Sequence, residues 1–401
     1  MKQTCNPLHP SINVKNPLFR YSMIPLLCCL ALMSCNNSMN ISVENASDFD
    51  RLEEIVELPV EKLMTLPSGK AYHVTNQQGE TLPSQLTFDG KLIFQAGIKA
   101  KEKIIFSIKT GAPVEFTPKT YGRFITERYD DFAWENDRVA FRIYGPALIP
   151  IDGPSNGIDL WYKRTNNLII DKWYKDDLSK VRSYHEDHGE GLDDYKVGRT
   201  LGAGMMAPFE NDSLYLNDNF VTQELVENGP LRTTFQLTYK NMTVEGKSFA
   251  ERRTFSIDAG SQLTKVIQEY GTGNTLTVAA GIIKRAIEDE PYTALTDKGT
   301  AAVVYEEPEN GTVGKVFVGM VFPKGIEQVK SHTHTIIHPK TKKEETHSHI
   351  LAITSYYPGQ PITYYTGYGW EKFGYRTLDD FRNYMIYFTK IIDEPLIIRF
   401  L

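Results

Sequence analysis

Cysteine is missing from almost the whole chain, because its four cysteines, Cys5, Cys28, Cys29 and Cys35, all lie at the N-terminus. The body therefore contains neither a disulfide nor a thiol nucleophile, which excludes cysteine-based catalysis there. Blocks of basic residues are also missing, since 44 Lys and Arg are interspersed with 50 Asp and Glu for a net charge of −6. Without a basic stripe to follow a phosphate backbone, we expect no nucleic-acid partner.

Long hydrophobic runs are equally scarce, and the apolar stretch 23–33 is too short to span a bilayer. Basic residues precede it, and a small residue followed by Cys35 ends it, in the sequence "LMSC". This combination is typical of a bacterial lipoprotein signal peptide, so residues 1–35 are predicted to be one, with lipidation at Cys35. An ordinary signal peptide is the alternative. The polar residues 36–50 are interpreted as a tether.

The same leader predicts the location of the protein. Residues 36–40, "NNSMN", contain no acidic signal for export to the cell surface. We therefore expect a protein that is lipid-anchored in the bacterial cell envelope, in the outer membrane and facing the periplasm. Its only contact with the membrane is expected to be the lipid anchor.

Short apolar runs that alternate with turn residues predict an all-β fold. Residues 51–111 are predicted to form a small N-terminal β-sandwich, and residues 121–401 a large antiparallel β-structure. Strand patterns of period two occur in "GPLRTTFQLTYK", "KVFVGMVFP" and "HILAITSYY". One short C-terminal helix is predicted after Thr377, which has Asp380 three residues on and so suits a capping box.

The densest cluster of reactive side chains is "YHEDHGEGLDDYKVGRTLGAGM", residues 184–205. Its glycines and charges predict a loop on a β scaffold, where binding and catalytic groups often lie. Two functional roles fit the residue types. In the first, a divalent cation is held by nitrogen and oxygen ligands, for which the candidates are His185, Asp187 and Asp194, with His188 and Glu190. In the second, proton-transfer groups act beside a cation that binds an anionic substrate, for which the candidates are His188 and Tyr195 with Arg199 or Lys196. A solvated acidic loop is the alternative to both.

Five of the nine histidines lie in "HTHTIIHPKTKKEETHSH", residues 332–349. A hairpin centred between Lys340 and Thr341 would place His332 opposite His349 and His334 opposite His347, with all four rings on one face. Four imidazoles on one face suit a metal site. Because the tip is highly charged, we favour a structural hairpin, from which His349, adjoining an apolar strand, reaches the functional site.

Aromatic residues are concentrated in "YYPGQPITYYTGYGWEKFGY", residues 356–375. An aromatic ring stacks on the apolar face of a sugar, so exposed aromatics among glycines and prolines suit a glycan groove. The predicted substrate-binding residues are Trp134, Tyr368, Trp370 and Lys372. Packing in the core is the alternative for the aromatic rings.

Two of these stretches, "HEDHGEGLDDYKVGRTLGAG" and "HILAITSYYPGQPITYYTGYGWEKFG", resemble an uncharacterised-domain family of lipoproteins and secreted proteins from polysaccharide-degrading Bacteroidetes. The resemblance covers most of residues 50–401. That family includes an oligosaccharide dehydratase of ulvan breakdown, and its fold is similar to the galactose-mutarotase-like β-supersandwiches. The resemblance therefore implies a β-supersandwich for residues 121–401 and an eliminative attack on a uronic acid.

Such an elimination removes the C5 proton, which is α to a carboxylate. It requires a cation to neutralise that carboxylate, a base for the proton and a donor for the group that leaves C4. The catalytic residues that match these roles by type are His188, Tyr195 and Arg199, with Glu190 as a further acid–base candidate. The main hypothesis is thus a carbon–oxygen lyase or dehydratase that acts on uronic-acid-containing oligosaccharides.

Two other classes of protein fit the sequence. A glycoside hydrolase would need two carboxyl groups across the scissile bond, for which Glu190 with Asp194 or Glu210 are candidates. A non-catalytic glycan-binding lipoprotein would rely on the aromatic residues and leave the loop 184–205 without a role.

Overall fold

The computed structural model describes residues 38–285, 292–295, 298–338 and 340–401. The predicted signal peptide with Cys35 lies outside the described residues. Within the described ranges, no helix combines the length and the apolarity that a membrane span requires.

The described strands, numbered along the chain, are β1 (Ser38–Glu44), β2 (Arg51–Pro59), β3 (Ala71–Thr75), β4 (Thr81–Leu82), β5 (Ser84–Leu86), β6 (Lys91–Ile98), β7 (Lys103–Gly111), β8 (Thr120–Ile125), β9 (Asp131–Asn136), β10 (Ala140–Ile143), β11 (Asp159–Lys163), β12 (Gly191–Asp193), β13 (Ala203–Glu210), β14 (Ser213–Leu214), β15 (Thr222–Asn228), β16 (Arg232–Thr238), β17 (Met242–Val244), β18 (Lys247–Phe249), β19 (Glu251–Asp258), β20 (Leu263–Tyr270), β21 (Leu276–Ile283), β22 (Tyr292–Leu295), β23 (Ala301–Glu306), β24 (Val316–Phe322), β25 (Gln328–Ile337), β26 (Glu344–Tyr356), β27 (Ile362–Trp370) and β28 (Ile397–Phe400). The α-helices are α1 (Ile149–Asp152), α2 (Ile170–Leu178) and α3 (Leu378–Asp393).

The N-terminal part is a β-sandwich. Its two sheets have the strand orders β28-β1-β7-β3-β4 and β2-β6-β5, and they enclose a core of their own. The sandwich is larger than the predicted 51–111, because β1 and the C-terminal strand β28 pair with each other and complete one sheet. The two ends of the described chain therefore meet in this sandwich.

The structure corrects the predicted tether, residues 36–50, over its described part, residues 38–50. Residues 38–44 are strand β1, in which Ile41 and Val43 are fully buried. The segment is polar in composition, but its apolar residues alternate with polar ones, and an alternating segment buries one face against a sheet. Periodicity, not mean composition, thus decided its structure.

The larger part is an antiparallel β-supersandwich, as predicted. An eight-stranded sheet, β15-β16-β19-β20-β27-β24-β23-β22, packs through the main core against β14-β13-β21-β26-β25. A further sheet, β12-β11-β10-β9-β8, joins the same core. Phe132 of β9, for example, stacks on Phe235 of β16 with ring centroids 3.9 Å apart. The chain is therefore all-β with a short C-terminal helix, the predicted fold class.

Helix α3 begins at the predicted capping box. Asp380 N donates to the Thr377 side chain, and Thr377 N donates to the Asp380 carboxylate. The apolar face of the helix packs so closely on the large sheet that a Cβ atom at Gly369 would lie 2.5 Å from the Phe381 ring. Glycine at this strand position is thus what allows the helix to dock.

Candidate active site

The largest described cavity near the loop 184–205 has a volume of about 690 Å³. Its floor comes from Arg142 of β10, Tyr144 and Asp193 of β12, and its walls come from residues 148–155, residues 194–199 and the β25–β26 hairpin. Loops held on rigid strands can position polar groups accurately. A cavity of this size suits a ligand as large as a few sugar rings.

Three of these floor side chains, together with Asp159 buried beside them, form a hydrogen-bonded set around Arg142. Arg142 lies opposite Asp159 in the β10–β11 register, and its Nε donates to Asp159 Oδ2 at 2.8 Å. Its Nη2 donates to Asp193 Oδ2 at 2.7 Å and to Tyr144 Oη at 3.1 Å. Tyr144 Oη donates in turn to Asp159 Oδ2 at 3.2 Å. One buried guanidinium is thus shared between two carboxylates and a phenol.

Burial shifts the proton affinity of these groups. It raises the pKa of Asp159 to about 7, although the neighbouring Arg142 charge opposes the shift. It also raises the pKa of Tyr144 well above its usual value, and again Arg142 opposes the shift. Tyr144 is therefore a phenol at neutral pH, and Asp159 changes charge near neutrality.

His185 lines the same cavity, and its hydrogen bond fixes its tautomer. Its Nδ1 lies 2.9 Å from the backbone oxygen of Asp193. Because a carbonyl oxygen only accepts hydrogen bonds, Nδ1 carries the hydrogen, and Nε2 of the neutral ring has a free lone pair. The side chain is 59% exposed, so this nitrogen is open to a ligand.

Three further cations stand on the cavity walls: Arg128, Lys196 and Arg199. Arg128 forms an ion pair with Asp131 at 2.9 Å and keeps a side chain that is 21% exposed. Arg199 donates to two backbone oxygens, those of Asn217 at 2.5 Å and Leu216 at 2.8 Å. Lys196 and Arg199 are the two predicted anion-binding residues, and the structure brings both to the cavity.

Two of the predicted catalytic residues lie elsewhere. His188 and Glu190 line a separate cleft of about 20 Å³, which is too small for a sugar. His188 Nε2 lies 3.1 Å from the backbone oxygen of Ser183, and Glu190 pairs with Lys172. The structure therefore corrects their assignment: the turn through Gly189 carries them away from the cavity that His185 faces.

Tyr195 contributes to the cavity lining but does not present its hydroxyl. The side chain is 3% exposed and belongs to the main core, and its buried Oη has no hydrogen-bond partner among the described residues. Arg285 lies 4.9 Å from the centre of its ring. The predicted role of Tyr195 as a proton-transfer group is thus corrected, because its buried hydroxyl does not face the cavity.

The three predicted metal ligands are not brought together. His185 bonds the Asp193 backbone, Asp187 pairs with Arg164 at 3.1 Å, and Asp194 accepts from Asn310 at 3.0 Å. In the described part of the chain, no group of three or more His, Cys, Asp or Glu side chains is arranged to hold a metal ion. A divalent cation as cofactor stays a prediction, which metal analysis of the purified protein tests.

The histidine hairpin has the predicted register. His332 pairs with His349 and His334 with His347, and the rings of His334 and His349 stack with centroids 5.3 Å apart. His349 is fully buried, and its Nε2 accepts from the Leu201 backbone nitrogen at 3.1 Å. Its predicted role in substrate binding is corrected: it anchors the loop that ends the cavity wall but does not line the cavity.

The aromatic residues predicted to bind sugar are core residues. Trp134, Tyr368 and Trp370 are at most 1% exposed. Trp134 Nε1 donates to Thr264, and Trp370 Nε1 donates to the backbone of Val313. Lys372 is exposed, but it donates to Thr312 O and does not line the cavity. The structure corrects these four assignments. The three aromatic rings are core residues, and beside two of them Gly367 and Gly369 allow close packing of strands and helix.

Sequence reasoning missed Arg128, Arg142, Tyr144 and Asp159. A signal was present for two of them: Arg142 and Asp159 interrupt the apolar runs "VAFRIYG" and "NGIDLWY". A charge inside a buried strand is costly unless another charge pairs with it. Two such interruptions in neighbouring strands therefore indicate a buried ion pair.

Comparison with known proteins identifies the family. A family model described as "Domain of unknown function (DUF4861)" matches residues 43–398, so the chain belongs to this family. "Uncharacterized protein P7" of Formosa agariphila is 29% identical over 377 residues, which cover 89% of this chain and 92% of that protein.

Solved structures show only a distant likeness. A glycosyl hydrolase family 38 protein from Enterococcus faecalis superposes with a TM-score of 0.38 at 9% identity, over 91% of this chain and 48% of that one. An alpha-mannosidase from Enterococcus faecalis V583 has a TM-score of 0.37 at 8% identity, over 91% and 46%. The chain thus spans about half the length of the solved structures it matches.

Proposed function

We propose that this member of the DUF4861 family is a carbohydrate-active lyase or dehydratase that catalyses β-elimination on uronic-acid-containing oligosaccharides. The observation that carries the proposal is that one cavity holds the three kinds of group that this reaction needs. His185 offers ring nitrogen Nε2, Tyr144 an un-ionised hydroxyl, and Arg128 with Lys196 positive charge. The family resemblance of the sequence implies the same reaction.

The carboxylate of the substrate is the first group to be bound. Arg128 and Lys196 line the cavity without being fully buried, so they can contact a ligand. Their charge neutralises the carboxylate and so stabilises the negative charge that spreads onto it when the C5 proton leaves. A guanidinium can also bind both carboxylate oxygens at once, which orients the sugar ring.

The proton transfers then use His185 and Tyr144. His185 Nε2 takes the C5 proton, the electron pair of the C5–H bond becomes the C4–C5 double bond, and the C4–O bond breaks. Tyr144 Oη gives its proton to the departing oxygen, and Arg142 Nη2 stabilises the phenolate that remains. If C4 carries a hydroxyl the product is water, and if it carries a sugar the chain is cleaved.

The hydrolase alternative named Glu190 with Asp194 or Glu210, and neither of these pairs comes together at the cavity. Glu190 lies in the small cleft, and Glu210 accepts from the Thr277 backbone nitrogen at 2.8 Å. Asp194 alone of the three lines the cavity. Asp152, Asp193 and Glu345 also line the cavity, and Asp193 is paired with Arg142. We place elimination ahead of hydrolysis because the cavity also holds the cations and the phenol that elimination requires.

The proposed setting is the bacterial cell envelope, where a lipid on Cys35 would hold the enzyme near imported oligosaccharides. Mass spectrometry of membrane-extracted protein tests the lipid, since the proposal requires the mass of a lipidated chain that begins at Cys35. A soluble chain without lipid would contradict it.

The activity is tested by incubating the mature protein with uronic-acid oligosaccharides and following ultraviolet absorbance and product mass. Elimination forms a conjugated unsaturated uronate that absorbs, whereas hydrolysis does not. Loss of absorbance in Tyr144→Phe, with the fold retained, supports the assigned donor. Products that gain a water without new absorbance would establish the hydrolase instead.

A further inference from the structure

A second cavity adjoins the candidate active site. It has a volume of about 430 Å³ and is lined by residues 214–218, Met242, Thr243 and His334. Arg199 and Ile336 line both cavities. The two spaces are therefore neighbours along one surface, with Arg199 at their junction.

Arg199 is held in place without direct neutralisation. Its two terminal nitrogens donate to the backbone oxygens of Asn217 and Leu216, which are neutral groups. The nearest carboxylate, that of Asp218, is 3.7 Å away and 41% exposed, so water weakens that attraction. A guanidinium fixed by two carbonyls is a preorganised cation that keeps further N–H donors for a ligand.

The remainder of the second cavity suits a sugar ring. Tyr215 is half-buried, which leaves part of its aromatic ring available, and Thr243 is exposed on β17. An aromatic face together with hydroxyl and carboxylate groups is the usual chemistry of a carbohydrate subsite. The volume is large enough for one ring beside the several that the main cavity accommodates.

We propose that this second cavity is a distal subsite, in which Arg199 binds an anionic group on a sugar next to the one that reacts. The inference rests on the proposed function and adds a substrate class: acidic oligosaccharides with a second negative charge, in preference to single uronic-acid units. Arg199 is then a specificity-determining residue and not the cation of the elimination step.

Binding measured by calorimetry tests the subsite without requiring turnover. The ligands are a uronic-acid-containing disaccharide and the tetrasaccharide that repeats it, so that only the longer ligand carries a second charge. For Arg199→Gln we expect about tenfold weaker binding of the tetrasaccharide, the loss typical of a hydrogen bond to a charged group, and less than about twofold change for the disaccharide. Arg199→Lys should recover part of the loss because it keeps the charge.

A matched control and a second variant make the result specific. Arg252 is a surface arginine paired with Glu269, so Arg252→Gln should leave both affinities unchanged. Thr243→Trp fills the second cavity without touching Arg199 and should weaken binding of the tetrasaccharide alone. If circular dichroism shows that Arg199→Gln does not fold, the tetrasaccharide affinity of Thr243→Trp still tests the subsite.

The outcomes separate the two proposals. If neither oligosaccharide binds the parent, the proposed function fails. If both bind equally well to the parent, to Arg199→Gln and to Thr243→Trp, the subsite is overturned while the proposed function stands.

Discussion

His185 and His188 stand three residues apart in one loop, yet they face different environments. His185 opens onto a cavity of about 690 Å³ that also holds Arg142 and Tyr144. His188 faces a cleft of about 20 Å³ and bonds the backbone of Ser183. The residue types are identical, so the difference lies in what the surrounding strands place beside each ring.

The same contrast separates Tyr144 from Tyr195. Tyr144 shares its hydroxyl between Arg142 and Asp159 at the cavity floor. The Tyr195 hydroxyl is buried without a partner among the described residues. A group is suited to catalysis when both its hydrogen-bond network and an open space for substrate are present, and only one member of each pair has both.

The sharpest test of this comparison is the pair His185→Ala and His188→Ala. If His185 is the base, its loss should lower kcat/KM by about a hundredfold to ten-thousandfold, the usual contribution of a general base. His188→Ala should retain activity within about twofold. Steady-state kinetics with a uronic-acid oligosaccharide measure both values of kcat/KM. A larger loss of kcat/KM in His188→Ala than in His185→Ala would assign the base to His188.

Trp370 tests whether the aromatic segment belongs to the core and not to the site. It is 1% exposed, so Trp370→Ala leaves a cavity and should cost about 3–5 kcal/mol in free energy of unfolding. Urea denaturation measures this value. The KM of the fraction that stays folded should be unchanged, whereas a raised KM with full stability would restore the predicted role in substrate binding.

Tyr144→Phe and Tyr195→Phe remove one hydroxyl each from otherwise similar rings. We expect Tyr144→Phe to lower kcat by about a hundredfold, because the departing oxygen loses its proton donor. Tyr195→Phe should not lower the rate or the stability, since its hydroxyl has no hydrogen bond to lose. Equal rates in the two variants would contradict the assignment of Tyr144.

The smallest expected effect is that of Asp159→Asn on the pH dependence of the free energy of unfolding. Burial raises the pKa of Asp159 to about 7, so between about pH 4 and pH 7 the folded state holds a proton that the unfolded chain releases. The free energy of unfolding of the parent should therefore fall relative to that of the variant as pH rises through this window. The relative slope is at most about 1.4 kcal/mol per pH unit.

Denaturant titrations of both proteins from pH 5 to pH 8 measure that difference. Parallel pH profiles would show that Asp159 has an ordinary pKa. The same protonation removes the negative charge of Asp159 beside Arg142. Binding of an anionic oligosaccharide should therefore also tighten as pH falls through 7 in the parent and not in Asp159→Asn.

Much of the fold could be predicted from the sequence because strand periodicity and capping are local. The capping box of Thr377 and Asp380 and the pairing of His332 with His349 need only neighbouring residues or one turn. Part of the candidate site lies in the loop 184–205 that the sequence singled out, since Lys196 and Arg199 line the cavity. Arg142 and Tyr144 were missed because they lie in and directly after β10, far from the loop in sequence.

The sequence by itself determined the all-β class, the short C-terminal helix and the chemistry excluded by the missing cysteines. These features depend on patterns over a few neighbouring residues, such as alternation and turn residues, so they can be recognised from the sequence. Only the tertiary structure decided which histidine faces a cavity, which tyrosine keeps a usable hydroxyl and which aromatics are buried. Those properties depend on strands far apart in sequence, such as β10 and β12, whose pairing with β11 gathers Arg142, Asp159 and Asp193 into one hydrogen-bonded set.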